Sequence, residues 1–168
     1  MTNTTDMSAA DPPAPRPPRS SLEGFLRGWL EDVPAESMDA LDDALQQACR
    51  TIEAAWSTEP PALTSFWGEL ARCVPATEAT QLPAARARVH VVDLHLAHAA
   101  RGGEARAVQR FERAHIEELR SVIARVDSSA AFVDEVKQRV RTKLLVSTGD
   151  EPAKIAHYTG QGELHTWI

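Results

Sequence analysis

Apolar residues recur along this chain at steps of three and four, and no strict apolar-polar alternation of useful length appears. That period is helical. Leu41, Leu45, Ala48, Ile52 and Ala55 follow it at steps of 4, 3, 4 and 3. The helix they predict is opened by Ser37 or Met38, and Asp39, Asp42 and Asp43 give it an acidic first turn that suits the positive end of its dipole. Before it, Ser21 can cap a short helix from Leu22 to about Leu30, with Phe25, Leu26 and Trp29 on one face. After the break at Pro60-Pro61, Leu63, Phe66, Trp67, Leu70 and Cys73 predict a third.

Beyond Ala84 the stripes continue. Val89, Val92, Leu96 and Ala99 line one helix, which Arg101-Gly102-Gly103 ends with a left-handed cap. Glu104 begins the next, with Val108, Phe111, His115, Leu119, Val122 and Val126 at helical steps. Asp127-Ser128-Ser129 separates it from a helix over 132–146. That helix carries Phe132 or Val133, then Val136, Val140 and Leu144, with charge almost everywhere else. A loop follows, and Leu164 to Ile168 reads as the first turn of another helix. The predicted fold class is all-α: a helical bundle with a disordered Pro-rich N-terminal tail. The tail is 1–20, where Pro12-Pro13-Ala14-Pro15-Arg16-Pro17-Pro18 cannot supply a core. Pro75 and Pro83 bracket a linker, so 21–83 forms a helical N-terminal extension and 84–168 a second helical domain.

Composition adds a charge asymmetry. Residues 1–84 hold 5 Lys/Arg against 13 Asp/Glu, a balance of −8; residues 85–168 hold 13 against 11, a balance of +2. Two functional regions are implied, and the basic excess is too small to argue for nucleic acid. No apolar run approaches the roughly 18 residues that span a bilayer. The first residues lack the basic and apolar regions of a secretory signal. The expected location is the cytoplasm, with no membrane partner, and Cys49 and Cys73 read as reduced thiols.

Candidate chemistry is sparse. His95 and His98, three apart, share a helix face as metal ligands can. His90 lies about 140° from His95, Asp93 is on another face, and no HExxH forms. These read as packed or surface histidines, with no metal and no cofactor. His115 sits at a core position. Gly160-Gln161-Gly162 follows no strand and has no Lys-Ser/Thr, so it is no phosphate loop. Glu117-Glu118 and Asp134-Glu135 are adjacent pairs that point apart, so neither forms an acid/base dyad. No catalytic residues are assigned, and the chain reads as a non-enzyme. The helix over 132–146, with Asp134, Glu135, Lys137, Gln138, Arg139, Arg141 and Lys143 flanking its apolar stripe, is either plain solvent surface or a polar docking face.

A resemblance bears on that choice. Leu94 to Ala100, Gly103-Glu104, Ala107 and Phe111, then Glu135-Val136-Lys137-Gln138 with Val140 and Leu144-Leu145, then Tyr158, Gly160, Gly162, Leu164 and Trp167 follow one another in a familiar order. Over 93–168 this order resembles the first part of the second conserved region of bacterial RNA polymerase sigma factors of the extracytoplasmic-function class. Two positions depart from the pattern: Lys137 stands where the family often has an apolar residue, and Arg139 where it often has Glu. The resemblance implies transcription initiation as the process. Core RNA polymerase is the implied partner, bound through the clamp helices of its largest subunit, and an anti-sigma protein is a further one.

The resemblance places polymerase contacts at Glu135 and Gln138, with Asp134 and Arg141 added by position. The family's promoter-reading helix continues beyond the equivalent of Leu164–Trp167. The expectation is therefore a protein truncated within that region, with no DNA binding of its own. The alternative is a helical protein-interaction or regulatory module with no polymerase role.

Overall fold

The computed structural model describes residues 38–56, 58–73, 89–149 and 151–168. The expectations for the tail, the Leu22–Leu30 helix and the Pro75–Pro83 linker lie outside those residues. Within them the chain is all-α. The helices are α1 (Met38–Trp56), α2 (Leu63–Cys73), α3 (Val91–Arg101), α4 (Ala105–Phe111), α5 (Leu119–Ile123), α6 (Ala130–Leu145) and α7 (Leu164–Trp167). A π-helical turn, Glu112–Ile116, joins α4 toward α5, and a 3-10 turn, Lys154–His157, precedes α7. No strand occurs among the described residues, only the isolated antiparallel bridges Val89–Gln161 and Thr148–Glu151. No helix there is long and apolar enough to cross a membrane.

α3 is the centre. It packs against α1, α2, α4 and the 3-10 turn. Leu94, His95, Leu96, Ala97, Ala99 and Ala100 are all buried, so no single stripe describes it. Three alanines let neighbouring backbones approach on several sides, since interaxial distance follows side-chain size. The expected stripe of α1 is present in Leu45, Ala48 and Ile52, and α2 contributes Phe66 and Trp67. These five share one buried cluster with Leu94, Phe111, Ile116, Leu144, Tyr158 and Leu164, so the core takes residues from both sides of residue 84. Both cysteines are free; Cys49 is buried, which pushes its thiol up to about 11.

α3 ends as its glycines require. Gly103 has φ +78°, Gly103 N–H donates to Ala100 O, and Glu104 N–H donates to Ala99 O, both at 3.1 Å. That pair of bonds is a Schellman motif. The next helix departs from expectation. It is not continuous from Glu104 to Val126, because Glu117 N–H reaches back five residues to Glu112 O at 2.9 Å. Such a turn holds about one residue more than an α-turn and shifts the phase of everything after it. Val122 and Val126 accordingly face solvent, 56% and 81% exposed, and not the core. His115 is half-buried beside Phe111, its Nδ1 without a hydrogen-bond partner among the described residues, and burial lowers its pKa.

The last segment is fixed to α3. His90 N–H donates to Gly160 O at 2.8 Å, and Leu164 N–H donates to Asp93 Oδ2 at 2.9 Å. Asp93 thus caps α7 from 71 residues away, where Glu163, the residue at its start, makes no side-chain cap. Tyr158, buried, donates its hydroxyl to Gly162 O at 2.6 Å, and Trp167 packs edge-on against its ring. Gly160 has φ +77°, and a Cβ there would lie 2.9 Å from Val89 Cγ1 and 3.4 Å from Leu94 Cβ. Gly160→Ala should therefore cost about 1–3 kcal/mol, from backbone strain plus crowding. Gly162→Ala, also at positive φ but with open space around it, should cost less. Urea midpoints of the two variants check this, and equal losses would remove the crowding argument.

Candidate docking face on helix α6

Entry into α6 is set by Asp127, whose Oδ1 accepts from Ser129 N–H at 2.7 Å. That bond, an Asx-type turn, holds the Asp127 carboxyl below its ordinary range. The helix then buries Val133, Lys137 and Leu144, with Val140 half-buried between them. The inward row runs 133, 137, 140, 144, so a lysine occupies a position the periodicity reserves for an apolar side chain. Its methylenes can fill that space while the ammonium reaches a partner. Lys137 Nζ donates to Glu117 Oε1 at 2.6 Å, which lowers the Glu117 pKa.

One turn on, Arg141 grips Glu112 with two N–H groups, through Nε to Oε1 and through Nη2 to Oε2, the latter at 2.7 Å. The π turn makes this double clamp possible. In an ideal α-helix, residues five apart lie about 140° apart and could not both face α6. The i→i+5 bond between Glu112 and Glu117 brings them onto one side. Lys137 and Arg141, four apart on α6, meet them.

The opposite face of α6 is polar and exposed. Asp134, Glu135 and Gln138 all lie there, within an arc of about 100°. Glu135 Oε1 accepts from Arg139 Nη2 at 2.6 Å, an i,i+4 pair in solvent. Gln138 Oε1 accepts from Arg141 Nη1, which leaves its amide N–H groups as donors. Arg141 stands apart from the other three: it is half-buried and committed to Glu112. Sequence reasoning missed this clamp, because its carboxylates lie 20 and 29 residues upstream and align only through the π turn.

A second polar cluster lies inside the bundle, at the histidines weighed as metal ligands. Trp56 Nε1–H donates to His95 Nδ1 at 3.1 Å. Since indole can only donate, His95 Nδ1 is the acceptor and Nε2–H donates to Pro61 O at 2.9 Å. Burial holds His95 down to about 4, so it is neutral. Ser65 donates its hydroxyl proton to Ala62 O at 3.0 Å and so accepts from His98 Nε2–H at 2.9 Å.

His98 Nδ1 faces Arg101 at 3.4 Å, and burial, then that cation, lower its pKa. Burial alone would raise the Glu69 carboxyl. Arg72 and Arg101, the latter at 3.0 Å, outweigh it and take the carboxyl below its ordinary range. Both nitrogens of both imidazoles are thus engaged within the protein. No group of three or more His, Cys, Asp or Glu side chains among the described residues is placed to hold a metal.

Compared with protein-family models, curated proteins and solved structures, the chain has no match.

Proposed function

We propose that this chain is a sigma-factor-like protein of transcription initiation that docks on the clamp helices of the RNA polymerase largest subunit through α6. The observation that carries the reading is the exposed Asp134, Glu135 and Gln138 face on a helix fastened from its other side by Lys137–Glu117 and Arg141–Glu112. A docking helix held in this way loses little freedom on binding, which favours affinity. A charged face of this kind adds partner specificity and association rate. The partner is the one implied by the resemblance of residues 93–168 to the sigma-factor region. On this reading Arg141 acts chiefly through Gln138, whose carbonyl it holds.

A second reading, a helical interaction or regulatory module with no polymerase role, draws on a different observation. α1 and α2 lie outside the resemblance, yet Ile52, Trp56, Phe66 and Trp67 are part of the same core.

The test is binding of the full chain to the isolated clamp-helix coiled coil. Glu135→Ala with Gln138→Ala should weaken it by about 1–3 kcal/mol, with the far-ultraviolet circular dichroism unchanged. Arg141→Ala is unsuitable, because it also unfastens α6 from Glu112. Equal retention of wild type and double variant, or no retention of either, would sink the polymerase reading and leave the interaction module.

A further inference from the structure

An open cleft of about 360 Å³ lies where the end of α1 meets α4 and the π turn. Trp56, Thr58 and Gln109 line it together with three arginines, Arg106, Arg110 and Arg113. The spacing of four and three puts all three on one face of the chain. No carboxylate among the described residues lines the cleft. Two of the cations have structural duties. Arg106 and Arg110 stand over the Trp56 ring, 5.9 and 4.9 Å from its centroid. Arg110 Nη1 donates to Ala55 O at 2.8 Å, Arg106 Nη1 to Thr58 Oγ1 at 3.0 Å, and Arg106 Nη2 to Glu59 O. Positive charge at the end of α1 also suits the helix dipole.

These duties leave much unused. A guanidinium carries five N–H donors, and three bonds occupy only part of the two groups. Arg113 is exposed and makes no hydrogen bond or ion pair among the described residues. Capping α1 explains Arg110, and tying down the loop after it explains Arg106, but neither explains a third cation on the same wall. Stacking on the indole pre-orients two of the three forks, and guanidinium forks match oxyanions bidentately. Three cations on one wall, with no carboxylate beside them among the described residues, favour a ligand carrying more than one negative charge.

We propose that this cleft binds a phosphate-bearing ligand no larger than a mononucleotide. Its volume falls at the lower end of the roughly 300–1,000 Å³ of small-molecule sites. The chain's net charge of −6 disfavours diffuse adsorption of a long polyanion, so the attraction is local. The site stands independently of the polymerase reading, since no residue of α6 lines it.

Isothermal titration of the full chain with pyrophosphate tests the proposal. Saturable one-to-one binding is expected. Arg113→Ala should weaken it about tenfold, the worth of one charge-assisted hydrogen-bonding group. Arg125→Ala removes an exposed arginine beyond α5 and should change it less than about twofold. Arg113 makes no hydrogen bond or ion pair among the described residues, so its variant should fold as wild type, which circular dichroism confirms or refutes. Competition with a single-stranded oligonucleotide separates a free phosphate ligand from a nucleic-acid backbone. Three results would each overturn the proposal: no saturable heat, equal weakening by the two variants, or oligonucleotide binding that pyrophosphate does not displace.

Discussion

Trp56→Ala should destabilise the protein by about 3–5 kcal/mol, the range for emptying a buried aromatic site. Trp56 closes α1 and is only 8% exposed. Its ring meets His95 edge-on at 5.5 Å and carries the Arg110 guanidinium at 4.9 Å. Its N–H supplies the proton that His95 Nδ1 accepts. Alanine removes all of these at once and leaves a cavity between α1 and α3. Trp56→Phe separates the contributions. It keeps most of the apolar body and loses only the donor, so it should cost about 1–3 kcal/mol for an imidazole nitrogen left buried and unpaired. Urea denaturation of both variants is the measurement. If both unfold within about 0.5 kcal/mol of wild type, Trp56 does not join α1 to the bundle as described.

The sequence made the helices legible where one face is buried and the phase is unbroken. Leu45, Ala48 and Ile52 in α1, and Phe66 and Trp67 in α2, are core residues as their spacing implies. Gly103 was legible too, because a paired glycine after a helical stripe has a specific backbone use. The failures have physical causes. Val122 and Val126 continue a perfect stripe on paper, yet a single π turn rotates them into solvent. That turn goes with the meeting of Glu112 and Glu117 with Arg141 and Lys137, a tertiary arrangement that periodicity does not contain. Lys137 reads as a surface residue by type, and only its ion pair with Glu117 shows why it can be buried.

His95 and Glu69 were opaque for a related reason. Their burial is supported by partners 39, 34 and 32 residues away in the chain. The candidate docking face was half legible. Glu135 and Gln138, which the resemblance implies, and Asp134, added by position, are exposed, whereas the inward commitment of Arg141 was not visible.

Stability should fall as pH is lowered from about 7 toward 4, and His95 should be a main cause. The unfolded imidazole takes its proton near 6.5, whereas burial holds the folded one down to about 4. Above 6.5 neither state is protonated and the neutral His95, bonded to Trp56 and Pro61, contributes in full. Below 6.5 the unfolded chain binds the proton first, so the equilibrium moves toward unfolding until the folded imidazole also titrates. The gap between 6.5 and about 4 corresponds to about 3 kcal/mol in all, of which about 2 kcal/mol is lost by pH 5. Charging the folded ring would also put a proton on Nδ1, against the Trp56 N–H, beside His98 and the Arg110 cation.

His98 and His115 are lowered by burial as well and act in the same direction, so the wild-type profile alone does not isolate His95. His95→Gln does. A glutamine carbonyl can accept from Trp56 and its amide can donate to Pro61 O, but it does not titrate. Denaturation of both proteins between pH 7.5 and 5 gives the comparison. At pH 7.5 the variant should be less stable than wild type, because a flexible amide replaces a rigid ring. The difference should shrink by about 2 kcal/mol by pH 5. A difference that stays constant across this range would mean that the proton on His95 is not what couples this core to acid.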